Sequence, residues 1–281
     1  MIELDPVIQQ KYSSLVTREY QSSGNILFPT LRVKENITGD TVHFPKIKKS
    51  FAYERIPGAP VRNEKVLTEQ VSIKLRDFES AQYVDMFKKT KISWDVVSEQ
   101  AYIVGSALGR CKDQIIIDAL TIAENKIDYG TKIADYALIR QITAVLGEKN
   151  IRTNDKARNN IHFVVSPHVE QDLLADKDIF SRDFIGRYYR ENGSLDGMQY
   201  SGLNFHVIGG MDEGGLPLNN GIRTCFLYDG NVVGLGLGVK FDNRLTLLQE
   251  TNQLQCYGGF SAGSGIIEQS GVYKVLIKES I

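Results

Sequence analysis

One periodicity dominates the stretch from Trp94 to Ala123: Ala101, Val104, Leu108, Cys111, Ile115, Ala119 and Ile122 recur three or four residues apart, with no proline among them and Asp95 near the start. Residues at that spacing share one face of an α-helix, so the run predicts a single amphipathic rod. About 25 residues at 1.5 Å each extend it roughly 38 Å, well beyond the ~11–12-residue average helix. A rod of that length is able to organise an entire flattened subunit. Gly105 and Gly109 stand four apart on one side of it. Each costs about 1 kcal/mol against alanine inside a helix, which points either to a neighbouring backbone approaching closely or to two tolerated accidents.

Ahead of the rod, the residues up to about Arg32 are polar, with scattered apolar positions such as Ile8, Leu15, Ile26 and Phe28. They read as an arm with one short helix. From Thr41 to Leu75 the pattern turns to strands: Val42, Phe44 and Ile47 near one end, Val71, Ile73 and Leu75 alternating at the other, the two legs of a hairpin. Between the legs, Lys46, Lys48, Lys49, Arg55, Arg62 and Lys65 oppose only Glu54 and Glu64, a local charge of +4. A long two-stranded ribbon is marginal alone in water, so this one needs support from outside itself. Its basic loop is either a solvated surface or a contact with an acidic surface of another subunit.

After the rod, a second helix is predicted from Ile133 to Gly147, a buried strand at His162 to Ser166, a short helix near Glu170 to Ala175, and a strand through Leu203, Phe205 and Val207. Asp229-Gly230 marks a turn, and Tyr273, Val275 and Ile277 form a terminal strand with Lys274 and Lys278 facing the other way. Helices and strands are mixed along the chain, an α+β pattern.

The 281 residues carry 33 Lys+Arg against 34 Asp+Glu. A formal net charge of −1 lacks the cationic excess on which phosphate-backbone binding rests, so a dedicated DNA-binding module is disfavoured. Cys111, Cys225 and Cys256 are far apart and form no C-x-x-C pair, which suggests buried thiols in a reducing compartment rather than disulfides or a thiolate metal site. No apolar run approaches the ~20 residues of a membrane helix, and the first residues lack a signal-peptide pattern. The expectation is a soluble protein made in the cytoplasm, without membrane association.

Catalytic signals are thin. Gly259-Phe260-Ser261-Ala262-Gly263 matches the G-x-S-x-G elbow, but no histidine follows Ser261, so a glycine-rich structural loop is preferred to a nucleophile. Gly234-Leu235-Gly236-Leu237-Gly238-Val239 starts like a dinucleotide fingerprint and fails at Val239. His162, His168 and His206 form a site only if folding gathers them, and ordinary hydrogen-bonded histidines are the simpler reading. Asp176-Lys177-Asp178 and Asp212-Glu213 read as solvated acidic turns. No catalytic residue, cofactor site or metal site is assigned.

The order of segments resembles the major capsid proteins of tailed bacteriophages with the Hong Kong 97-type fold, especially podovirus forms. Phe28 to Val33 followed by Ile37 to Pro45 looks like the entry to that family's extended loop. Val71 to Ala81, running on to Gly105 to Leu108 and Asp113 to Ile117, resembles the loop's exit and the spine helix of the peripheral domain. Phe163 to Asp176, then Gly202 to Val207, is similar to the axial domain, and Tyr257 to Gly259 through Gly271 to Val275 looks like the return strand to the peripheral domain. The resemblance implies an N-terminal arm over 1–38, the extended loop over 39–75, a peripheral domain with spine helix over 76–128, an axial domain over 129–240, and a return over 241–281.

By that resemblance the chain is expected to assemble in host cytoplasm into an icosahedral virion shell around double-stranded DNA, and not to act as an enzyme. The partners implied are the chain itself in hexamers and pentamers, a scaffolding protein, a portal protein, DNA without sequence specificity, and a decoration protein as an optional addition. Lys46, Lys48, Lys49, Arg55, Arg62 and Lys65 are the candidate inter-subunit contacts, and Gly105 and Gly109 the candidate packing positions of the spine. Two alternatives stand beside this: an encapsulin-type nanocompartment shell, and, less favoured, a serine hydrolase using Ser261.

Overall fold

Asp95 starts the rod as the spacing predicts: its carboxylate accepts the backbone N–H of Ser98 at 3.4 Å and the Ser98 hydroxyl at 2.7 Å, capping donors that a helix start leaves open. The computed structural model describes residues 10–17, 25–35, 37–47, 52–55, 68–87, 95–130, 132–149, 151, 160–176, 194–210, 213–239 and 241–279. In chain order these hold a helix over residues 10–17 (α1), β1 (Arg32–Lys34), β2 (Thr41–Ile47), β3 (Thr68–Lys74), β4 (Arg76–Asp85), α2 (Val96–Thr121), β5 (Asn125–Tyr129), α3 (Tyr136–Glu148), β6 (Ile161–Val165), α4 (Pro167–Ala175) and β7 (Gln199–Tyr200). They continue with β8 (Leu203–Val207), β9 (Leu218–Asn219), β10 (Ile222–Asp229), β11 (Val233–Leu237), β12 (Asp242–Leu248), β13 (Gln253–Ile266) and β14 (Val272–Lys278).

Helix α2 is the rod, 26 residues long. Its buried face includes Ala101, Val104, Leu108, Ile115 and Ala119, whereas Cys111 is half-buried and Ile122 is 71% exposed. The helix ends at Thr121, so Ile122 no longer follows the helical period. The helix packs on β13 of a five-stranded sheet. In that sheet β13 pairs with β4 along one edge and with β12 and then β11 along the other, while β1 joins β11 in parallel. A Cβ on Gly258 of β13 would lie 2.8 Å from Val104 Cγ1 and 2.9 Å from Leu108 Cδ1. The sheet therefore supplies a glycine where the rod comes closest.

A seven-stranded sheet follows the order β5-β14-β10-β6-β8-β7, with β9 on β10. All five residues of β6 are buried, and a strand covered on both faces reads as the continuous apolar run seen in the sequence. β11 lies in the five-stranded sheet, whereas β14 pairs with β10 and β5 in the seven-stranded one. Alternation shows that a segment is a strand and does not choose its partner. The second helix begins at Tyr136 rather than Ile133, because Asp135 caps it through the Leu138 N–H at 3.0 Å and Asp176 accepts the Tyr136 N–H at 2.8 Å. Asp176 is thus a capping residue, not a free acidic turn.

The ribbon of β2 and β3 runs in the antiparallel register Thr41↔Lys74 to Ile47↔Thr68. Val42, Phe44, Ile73 and Leu75 form a separate small core with Ile267. That core rests on glycine-rich strands: a Cβ on Gly236 would lie 2.6 Å from Val42 Cγ1, and one on Gly234 2.8 Å from Phe44 Cε2. The base of the ribbon is therefore supported by its own subunit.

The arm too is held within the subunit. Tyr12 and Val16, one helical turn apart on α1, are buried, and Lys11 pairs with Asp95 at 2.6 Å. Further on, Leu27 is fully buried, and the N–H groups of Ile26 and Leu27 both donate to the Asp113 carboxylate of α2, each at 3.3 Å. Lys112 places its ammonium 3.5 Å from the centre of the Phe28 ring, and Thr30 Oγ1 pairs with the Tyr228 hydroxyl at 2.7 Å. An arm described by scattered apolar positions is, in its described residues, part of the core.

Candidate functional site

Ser261 lies in the middle of β13, opposite Asp77 of β4, so the loop expected there is a strand. It borders an open cleft of about 560 Å³ with Asp77, Phe78, Glu79, Asp242 and Tyr257. A serine nucleophile needs a base within hydrogen-bond reach, and no histidine lines this cleft among the described residues. The Ser–His arrangement of a hydrolase is not formed there. The failed dinucleotide fingerprint is β11, whose alternate glycines form the floor under Val42 and Phe44.

Folding does gather two of the three histidines. β6 and β8 are parallel neighbours, and His162 Nδ1 lies 2.9 Å from His206 Nε2, with the rings 5.1 Å apart. His162 Nε2 reaches Asn160 Oδ1 at 3.4 Å, and its ring faces Tyr228 at 5.5 Å. Burial, followed by the neighbouring imidazole, holds His162 down at about 4, and burial lowers His206 as well. His168, at the start of α4, is not part of the pair. Among the described residues no three His, Cys, Asp or Glu side chains converge as a metal site. Cys225 and Cys256 are buried, Cys111 is half-buried, and no disulfide joins them.

Buried charge concentrates at two other places. Arg223 and Glu279 form a two-pronged pair at 2.7 and 2.8 Å, with the Ser166 hydroxyl also donating to Glu279 and Arg223 Nη1 to the Leu216 carbonyl at 2.7 Å. Such a pair ties β10, the start of α4 and the end of β14 together. In α2, burial raises Asp113 to about 7 and lowers Lys112 to about 8. Spacing along the chain signals neither place, because each is completed by a segment far away in sequence.

Of the six candidate contact cations, Lys46 sits on β2 directly opposite Glu69 of β3, and Arg55 is exposed. Lys48, Lys49, Arg62 and Lys65 lie outside the described residues. Gly105 and Gly109 are both buried on α2.

Among solved structures the fold is similar to the capsid of cyanophage P-SCSP1u, with a TM-score of 0.71, 14% identity, and coverage of 92% of this chain and 90% of that one. It is also similar to the head of Helicobacter pylori bacteriophage KHP40, with a TM-score of 0.68, 11% identity, and coverage of 93% and 90%. A virus-like particle from Pyrococcus furiosus gives 0.62, 13% identity, and coverage of 96% and 99%. No curated protein matches the chain in sequence. The fold is the Hong Kong 97-type capsid fold that the order of segments suggested. A family profile described as phage capsid protein matches residues 4–279, which does not favour the nanocompartment alternative. The chain belongs to the phage capsid protein family.

Proposed function

We propose that this is a major capsid protein whose hexamers and pentamers close into an icosahedral shell around double-stranded DNA, assembled in the host cytoplasm and carried in the virion. The observation that carries this reading is the family match along residues 4–279. A net charge of −1 suits a thin wall that encloses DNA without gripping it. In this reading the peripheral domain is α2 with the five-stranded sheet, and the axial domain is the seven-stranded sheet with its helices. A scaffolding protein and a portal are the partners of assembly, and the chain performs no catalysis.

The basic loop is the brace between subunits. Lys46 has Glu69 across the ribbon, so the charge offered to a neighbour rests on Lys48, Lys49, Arg55, Arg62 and Lys65. Gly105 and Gly109 are positions where a neighbouring backbone approaches the rod. Electron microscopy of the purified chain, with and without co-expressed neighbouring reading frames, tests the reading. Closed shells or capsomer aggregates are expected. A monodisperse monomer or dimer at high concentration, even beside a scaffolding partner, contradicts it.

A further inference from the structure

The arm segment Ile26–Thr30 spans two elements, held by Asp113 of α2 at one end and by Tyr228 of β10 at the other. Thr30 also donates from its hydroxyl to the Leu27 carbonyl at 2.6 Å, so the two attachments are coupled through one short turn. Behind Tyr228 stands the His162 ring, tilted 33° at 5.5 Å, and behind His162 stands His206. We propose that these groups form an acid-sensitive joint, in which protonation of the His162–His206 pair releases the arm from β10.

The physical reason is the single hydrogen bond between the imidazoles. It needs one N–H and one lone pair, and a pair protonated twice has only donors facing each other. Two cations at that separation in a buried site repel strongly. Asp196 favours protonation of His206, so the second proton falls to His162. Among the described residues His162 also faces Asn160, whose amide donates to Asp229 at 3.1 Å, and the Tyr228 ring. None of these is a carboxylate in direct contact with His162. When His162 turns toward water, Tyr228 loses its backing and Thr30 its partner. Asp113, its carboxyl raised by burial to about 7, takes up its proton near neutrality in the attached arm, so falling pH does not release that end and acts alike in parent and variant. Release therefore starts at the Tyr228 end of the segment.

Sign and window follow from the histidines. Their folded state favours the neutral ring, so the contribution is complete above the ordinary value near 6.5 and is lost as the pH falls through about 4. Hydrogen exchange of the full-length chain, read by mass spectrometry on peptides covering residues 25–30, tests this against the His162→Gln/His206→Gln double variant. In the parent, protection of that segment is expected to fall about tenfold or more between pH 7 and pH 4.5, while the middle of α2 keeps its protection. In the variant the loss is expected to stay below about threefold. Equal loss in both proteins, or none in the parent, overturns the joint. Should the double variant fail to fold, histidine C2 exchange in the unmodified chain decides. Loss of protection over residues 25–30 that follows the midpoint of the two histidines supports the joint, and loss at a different pH, or ordinary titration at either histidine, refutes it.

Discussion

The N-terminal arm and the basic ribbon are attached to the body of the chain differently. The arm is fastened wherever it is described: Tyr12 and Val16 bury their side chains, Lys11 pairs with Asp95, and Asp113 collects two of its N–H groups. Among the described residues the ribbon is fastened at its base, where Val42, Phe44, Ile73 and Leu75 close a small core over Gly234 and Gly236. Toward the loop it carries surplus cations, and Arg55 is exposed. A projection that buries its apolar side chains at home belongs to the subunit's own stability. In the proposed reading, a ribbon clamped at its base, with unbalanced charge in the sequence of its loop, is the part offered to a neighbour.

The most damaging test of that contrast is Phe44→Ala, which empties the centre of the small core. It is expected to cost about 3–5 kcal/mol in denaturant unfolding of the full-length chain. A loss under about 1 kcal/mol would mean that the ribbon's base is not seated as described. Leu27→Ala in the arm is expected to cost about 2–5 kcal/mol, because a fully buried side chain leaves a cavity. An arm that belonged to a neighbouring subunit would instead leave the unassembled chain unaffected.

Replacing both spine glycines, Gly105→Leu with Gly109→Leu, raises intrinsic helix propensity yet overfills two buried positions. A net loss of about 1–3 kcal/mol, or failed assembly, is expected. Unchanged melting with normal assembly would return both residues to tolerated accidents.

Charge reversal in the loop reads the other half of the comparison. Lys48→Glu with Lys49→Glu is preferred to a change at Lys46, where a glutamate would face Glu69 across the ribbon. Unfolding of the unassembled chain should stay within about 0.5 kcal/mol of the parent. Shell closure should slow or go astray, and added salt should alter that defect, since the ~10 Å screening length shortens as salt rises. Parental assembly across a salt series would make the loop an ordinary solvated surface. The smallest effect is assigned to Ser261→Ala, which removes a strand hydroxyl beside an open cleft and should leave assembly unchanged. Loss of a demonstrated hydrolytic activity in that variant would contradict the structural role.

The rod was legible because its apolar residues repeat over many turns and Asp95 supplies the cap; the ribbon was legible because period-two alternation marks both legs. The attachments were not. Tyr12 and Val16 make only one helical repeat, too short to stand out from scattered apolar residues. The glycines at 234, 236 and 238 carry a strand's period, but glycine reads as loop until a partner is seen pressed against it. His162 and His206 meet because two parallel strands lie side by side, with a helix and a long connection between them in the chain. Likewise β14 alternates as any edge or interior strand would, and its choice of the seven-stranded sheet is a tertiary fact.

The contrast between arm and ribbon is tested most directly by zero-length carbodiimide cross-linking of shells assembled from an equal mixture of isotopically heavy and light chains. The Lys11–Asp95 link, between groups 2.6 Å apart in one subunit, should appear only within heavy or within light chains. Links from Lys48 and Lys49 to carboxylates should join heavy chains to light ones. Loop links confined to single chains, or a Lys11–Asp95 link that mixes the two, would contradict the assignment of the arm to its own subunit and of the ribbon to its neighbour.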